Sequence, residues 1–99
     1  YILDKELGKL AIASRCSSPK TGIVMEVYTD QPGVQLYTGN WMSGNLRGKH
    51  DQRYPARAAL CLETQHYPDS PNKPEYPSTR LNPGETFRST TIFRFTLEA

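Results

Sequence analysis

Residues 86–97 read Thr-Phe-Arg-Ser-Thr-Thr-Ile-Phe-Arg-Phe-Thr-Leu. In an extended chain, side chains point to alternate faces. Phe87, Ser89, Thr91, Phe93, Phe95 and Leu97 therefore share one face, and Arg88, Thr90, Ile92, Arg94 and Thr96 share the other. An aromatic face opposed to a charged one predicts a strand over 86–97, in a sheet with its core on one side. Asn82-Pro83-Gly84-Glu85 precedes it, with proline second and glycine third, the arrangement of a type II turn.

Working outward, the same grammar recurs. Lys9–Cys16 reads as a first strand and Ile23–Thr29 as a second, joined across Ser17-Ser18-Pro19-Lys20-Thr21-Gly22 as a long-loop hairpin. Asp30-Gln31-Pro32-Gly33 reads as a turn in which proline presets φ and glycine takes the conformation that other residues avoid. Val34–Thr38 follows as a strand with Gln35 and Tyr37 on one face and Val34, Leu36 and Thr38 on the other. Ala58–Thr64 is an apolar run that reads as a strand buried on both faces. Eight prolines and seven glycines punctuate these runs, and helical periodicity is nearly absent. The fold class is all-β: an antiparallel β-sandwich, or a slice of one.

Ninety-nine residues allow one small domain at most. The chain is polar for a self-sufficient globule, with 36% hydrophobic residues and a mean hydropathy of −0.64. Twelve basic and ten acidic residues leave a net charge of +2, too near balance to argue for nucleic acid or an anionic membrane. No apolar run approaches the roughly 20 residues of a membrane helix. Cys16 and Cys61, 45 positions apart and without metal spacing, are expected as free, buried thiols, which points to the cytoplasm. The chain opens on Tyr1 and is strand-like almost at once, so it reads as part of a longer protein.

Two segments invite other readings. Gly39–Arg57 carries Arg47, Lys49, His50, Arg53 and Arg57 against the single acid Asp51, as a phosphate-binding loop would. A solvated surface loop explains it better, because only Trp41 and Tyr54 flank it and no aromatic platform is interleaved. Prolines at 68, 71, 74 and 77 suggest either a polyproline spacer or, preferably, an ordered loop wrapped back over the sheet.

The chemistry centres on Glu63, the only charge within Ala58–Thr64. A lone acid in an apolar strand is costly to desolvate, so it is either paired, with Arg57 or Arg94 as the candidate partners, or functional. His66 lies three residues on, an odd offset that argues against a Glu63–His66 catalytic pair and leaves His66 as a loop residue. No nucleophile elbow, phosphate loop or zinc spacing is present.

Gln31-Pro32-Gly33-Val34-Gln35-Leu36-Tyr37-Thr38-Gly39-Asn40 resembles a segment of the aldose 1-epimerases, also called galactose mutarotases. So do Cys61-Leu62-Glu63-Thr64-Gln65 with Pro68-Asp69, and Pro83-Gly84-Glu85 before a Thr-rich last strand. The three occur in family order and cover nearly the whole chain, which corresponds to about the last third of such an enzyme. The resemblance implies a mutarotase-like β-sandwich of which residues 1–99 form a C-terminal portion, and an open sugar cleft. It implies interconversion of the α and β anomers of free aldohexoses, galactose and glucose, without a cofactor. It places Glu63 as the general base and Gln35 in the sugar site. The family's acid histidine and the rest of its sugar site lie upstream, so the implied partner, besides the sugar, is the remainder of the mutarotase chain. Leu36 and Trp41 stand where the family often has phenylalanine. A non-catalytic carbohydrate-binding sandwich that keeps Gln35 and Glu63 is the alternative. Polarimetry on fresh α-galactose or α-glucose should show no mutarotation above the spontaneous rate with the isolated 99 residues; clear turnover would show that the acid lies within them.

Overall fold

The computed structural model describes residues 1–98. Its strands are β1 (Ala11–Ser17), β2 (Ile23–Thr29), β3 (Gly33–Tyr37), β4 (Cys61–Gln65) and β5 (Thr91–Leu97). They form two antiparallel sheets, β1-β2-β5 and β3-β4. The architecture is thus all-β, as the alternation predicts. Among the described residues, no helix is long and apolar enough to cross a membrane.

The β1–β2 hairpin forms as expected, with a bulge between Ile12 and Ser14. Its loop closes through Gly22 N–H to the Ser18 carbonyl at 2.8 Å and Ser18 N–H to the Ile23 carbonyl at 2.9 Å. Gly22 has φ +73°, and a Cβ there would lie 2.5 Å from the Glu98 carbonyl oxygen. That carbonyl belongs to the chain just past β5, which donates Glu98 N–H back to the Gly22 carbonyl at 2.8 Å. Gly22 therefore lets the hairpin loop and the end of β5 share one bridge.

The β2–β5 register pairs Val27 with Phe93, Met25 with Phe95 and Ile23 with Leu97. One face of the sheet is apolar. The other carries Arg94 and Arg15 on either side of Glu26, with Arg94 at 3.4 Å from the carboxylate. The sheets meet where the Thr91 hydroxyl bonds both Thr29 (3.2 Å) and Thr64 (2.7 Å). Among the described residues, Val24, Val27 and Val34 form the buried hydrophobic core, a small one.

Several expectations change. β5 begins at Thr91, not Thr86, because β2 ends opposite it at Thr29 and offers no further partner. Residues 89 and 90 are held instead by Asp30, whose carboxylate accepts from Ser89 Oγ at 2.8 Å and Thr90 N–H at 2.9 Å. The aromatic face of β5 is not a sealed core: Phe93, Phe95 and Leu97 are 47%, 64% and 78% exposed. The two-stranded sheet reaches only its Thr91 end. Ala58–Leu60 are exposed and lie outside the strand, because β4 starts at Cys61, opposite the last residue of β3. The cysteines are free, but Cys16 is half-buried and Cys61 exposed, contrary to the expectation of buried thiols.

The radius of gyration, 16.8 Å, exceeds the roughly 13 Å of a compact domain this long. In the basic loop, Arg47 pairs with Asp51, and Tyr54 Oη accepts Lys49 N–H at 3.0 Å. The proline-rich segment is an ordered, folded-back loop with a 3-10 turn at Ser70–Asn72, closed by Tyr67 against Tyr76 edge-to-face (centroids 5.2 Å apart).

Asn82–Glu85 forms the expected type II turn, with Glu85 N–H to the Asn82 carbonyl at 3.1 Å and Gly84 at φ +85°. The Glu85 carboxylate also accepts Asn82 N–H at 2.7 Å and Nδ2 at 3.1 Å. The backbone bond, and then the side-chain bond, hold its pKa below the ordinary carboxylate range. A lowered folded-state pKa means that this support is complete above the unfolded glutamate's pKa and lost as pH falls through the folded value. An NMR titration of the full-length protein should give Glu85 a midpoint below that of a free glutamate, and Asn82→Ala should move it part of the way back. Gly22→Ala should destabilise by about 2–5 kcal/mol, from a positive φ and overlap with a backbone carbonyl, as measured by denaturant unfolding of the full-length protein.

Candidate active site

The β3–β4 register sets Gly33 opposite Gln65, Val34 opposite Thr64, Gln35 opposite Glu63, Leu36 opposite Leu62 and Tyr37 opposite Cys61. Residues directly opposed in an antiparallel pair project to the same face, with Cβ atoms about 5 Å apart. The Thr64–Thr91 hydrogen bond turns the Val34, Leu36, Leu62 and Thr64 face toward the other sheet. The opposite face presents Gln35, Glu63, Gln65, Tyr37 and Cys61 outward. Gln35 and Glu63, distant in sequence, are immediate cross-strand neighbours.

Gln35 and Glu63 are both exposed. A partly buried Glu63 is expected from the apolar run before it, but that run feeds a strand whose odd-numbered residues face outward. The ion-pair alternative does not form: Glu63 has no salt bridge among the described residues, and Arg94 is engaged by Glu26. The acid is held rigidly at mid-strand and open to a ligand, a geometry that suits a base.

Gln65, on the same face, donates its amide to Gln35 Oε1 at 3.3 Å. This orients the Gln35 amide and leaves its own N–H donors for a ligand oxygen. Two concavities flank the pair. One, of about 340 Å³, is walled by Gln35, Gln65, His66, Tyr67 and Tyr76, with Tyr1 and Ile2 at its edge. The other, of about 420 Å³, is walled by Tyr37, Met42, Arg53, Tyr54 and Cys61. Glu63 lines neither and stands on the ridge between them. From Cys61 to Gln65 this face runs roughly 13 Å at strand rise, enough to seat a hexose ring. Tyr37 turns its hydroxyl to accept Trp41 N–H at 3.3 Å.

Gly33 is the first residue of β3 and does not have positive φ, contrary to the turn reading. Its lack of a side chain serves close approach. A Cβ there would lie 3.1 Å from the Tyr67 ring and 3.2 Å from the Tyr1 carbonyl oxygen. His66 follows β4 as a loop residue and makes no bond to Glu63; its Nδ1 lies 2.8 Å from Gln31 Oε1.

A family model described as Aldose 1-epimerase matches residues 2–94. The chain belongs to that family. It is 46% identical over 93 residues to the galactose mutarotase of Mus musculus, covering 94% of this chain and 27% of that protein. It is 48% identical over 84 residues to the galactose mutarotase of Homo sapiens, covering 85% of this chain and 25% of that protein. The aldose 1-epimerase of Escherichia coli (strain K12) is 35% identical over 89 residues, covering 88% of this chain and 25% of that protein. The epimerase-family chain thus spans about a quarter of the length of the curated relatives it matches.

Sequence reasoning missed Gln65 as a site residue, although counting two positions on from Glu63 places it on the same face. It also missed Gln31 and the Tyr67–Tyr76 wall, which arise from long-range packing with no local signal.

Proposed function

We propose that this chain, as the C-terminal portion of a larger mutarotase-like sandwich, serves the interconversion of α and β anomers of free aldohexoses such as galactose and glucose. Membership in the aldose 1-epimerase family supports this reading. The observation that carries it is the exposed cross-strand pair of Gln35 and Glu63. Glu63 takes the proton from the anomeric hydroxyl as general base. A histidine from the remainder of the protein protonates the ring oxygen as general acid. The bond between C1 and the ring oxygen breaks, giving the open-chain aldehyde. Rotation about C1–C2 and closure on the other face then invert the anomeric centre. Protons taken and given balance, no redox change occurs, and the chemistry asks for no cofactor. Gln35 donates its amide hydrogens to a sugar oxygen while Gln65 holds its carbonyl.

The remainder of the protein also covers the bare Phe95 and Leu97 face, since a folded protein rarely leaves a contiguous apolar sheet face in water. The unpaired thiols fit a reducing, cytoplasmic setting.

In the full-length protein, Glu63→Gln should lower kcat by about 10²–10⁴-fold, the range for loss of a general base, measured by polarimetry. Unchanged turnover would return Glu63 to a structural role. A wild type that binds aldoses without interconverting their anomers would favour the sugar-binding module.

A further inference from the structure

A line of hydrogen bonds runs from the junction of the sheets to the groove, and each bond fixes the sense of the next. The Asp30 carboxylate can only accept, so Ser89 Oγ, 2.8 Å away, spends its hydrogen there. Ser89 is then an acceptor for Gln31, and the Gln31 Nε2 amide donates to it at 2.7 Å. This sets the orientation of the Gln31 amide and turns its Oε1 to His66 Nδ1 at 2.8 Å. A carbonyl oxygen only accepts, so Nδ1 carries the hydrogen. Gln31 is 7% exposed, and its own N–H is tied to Thr29 Oγ1 at 3.1 Å, so the relay's centre is buried and fixed. In the neutral ring, Nε2 is left as a lone-pair acceptor, and among the described residues it has no hydrogen-bond partner.

His66 lines the 340 Å³ concavity together with Gln35 and Gln65. It also borders a second hollow walled by Ser78, Thr79, Arg80, Leu81 and Phe87. The paired amides stand only in the first, and that is the side suited to a polyhydroxylated ligand.

We propose that the Asp30–Ser89–Gln31 relay holds His66 as its Nδ1–H tautomer, so that Nε2 accepts a hydrogen bond from a hydroxyl of the sugar bound beside Gln35. His66 is thereby a substrate-contacting, specificity-determining residue, and Gln31 is its positioning residue. The sugar as occupant rests on the function proposed above; the tautomer does not. This role differs from acid–base work at the anomeric centre. Nε2 accepts from a hydroxyl that is not reacting, so its loss weakens binding of substrate and transition state alike.

The test uses the full-length protein. Long-range ¹H–¹⁵N NMR of the sugar-free wild type should show His66 with a protonated Nδ1 and a bare Nε2. Gln31→Met, which keeps the side-chain length but removes the amide, should erase that preference. Addition of galactose or glucose should shift the Nε2 resonance. In steady-state kinetics, His66→Phe should raise KM about 5–20-fold with kcat within about twofold, the signature of one lost neutral hydrogen bond. Across a set of monodeoxy sugars, the one lacking the contacted hydroxyl should have the same KM with wild type and with His66→Phe. An Nε2–H tautomer in the wild type would overturn the relay. Active wild type with KM unchanged by His66→Phe would overturn the contact while leaving the proposed function standing. A wild type that neither binds nor turns over aldoses would remove the sugar from both.

Discussion

The two sheets of this chain meet at three threonine hydroxyls, where Thr91 on β5 bonds Thr29 on β2 and Thr64 on β4. Hydroxyl pairs are short, so they bring backbones together more closely than facing aliphatic side chains would. Thr29 is fully buried at this point, and the valines 24, 27 and 34 supply the little apolar core there is. The orientation of the β3–β4 pair follows from this contact. With Thr64 turned inward, the period-two rule turns Glu63 and Gln65 outward. A one-residue slip would put Glu63 against the other sheet and leave Thr64 in the groove.

The segment linking β2 to β3 does more than reverse the chain. Its Asp30 takes over the approach to β5 with two accepted hydrogen bonds, and its Gln31 passes that constraint to His66. A polar chain thus ties the core to the wall of the groove. The groove is built from strands at its floor and from the folded-back proline-rich loop at its rim. Tyr67 and Tyr76 reinforce each other there by edge-to-face contact. Such a site has a stiff floor, which suits the role proposed for Glu63.

Openness is the other side of this economy. Phe93, Phe95 and Leu97 lie on an apolar face with little over it, and the chain's radius of gyration exceeds that of a compact domain of its length. Its family relatives are about four times as long, since it spans about a quarter of them. A sheet that remains apolar on its uncovered face fits the proposal that this chain is one wall of a larger sandwich.

Strand content, the antiparallel class, the hairpin, the Asn82–Glu85 turn and the outward sharing of Gln35 with Tyr37 were all readable from local pattern. Alternation and turn chemistry are short-range properties that a one-dimensional reading captures. The carboxylate at Glu63 was likewise conspicuous as a charge in an apolar run. What strand a residue pairs with is not short-range. Strand lengths at β4 and β5 were overestimated because a strand ends where its neighbour does: β3 stops at Tyr37 and β2 at Thr29. The burial of Glu63 and Cys61 was misjudged because an apolar flank does not say which face of a sheet is covered. Only the tertiary structure set Gln35 opposite Glu63, brought Gln65 against Gln35 and linked Gln31 to His66, for each depends on a register between segments remote in the chain. The sequence by itself determined that this is an all-β chain with one conspicuous acid in an apolar run and one amide on an alternating strand. The tertiary structure decided that the two stand side by side, because cross-strand pairing joins what local pattern can only list.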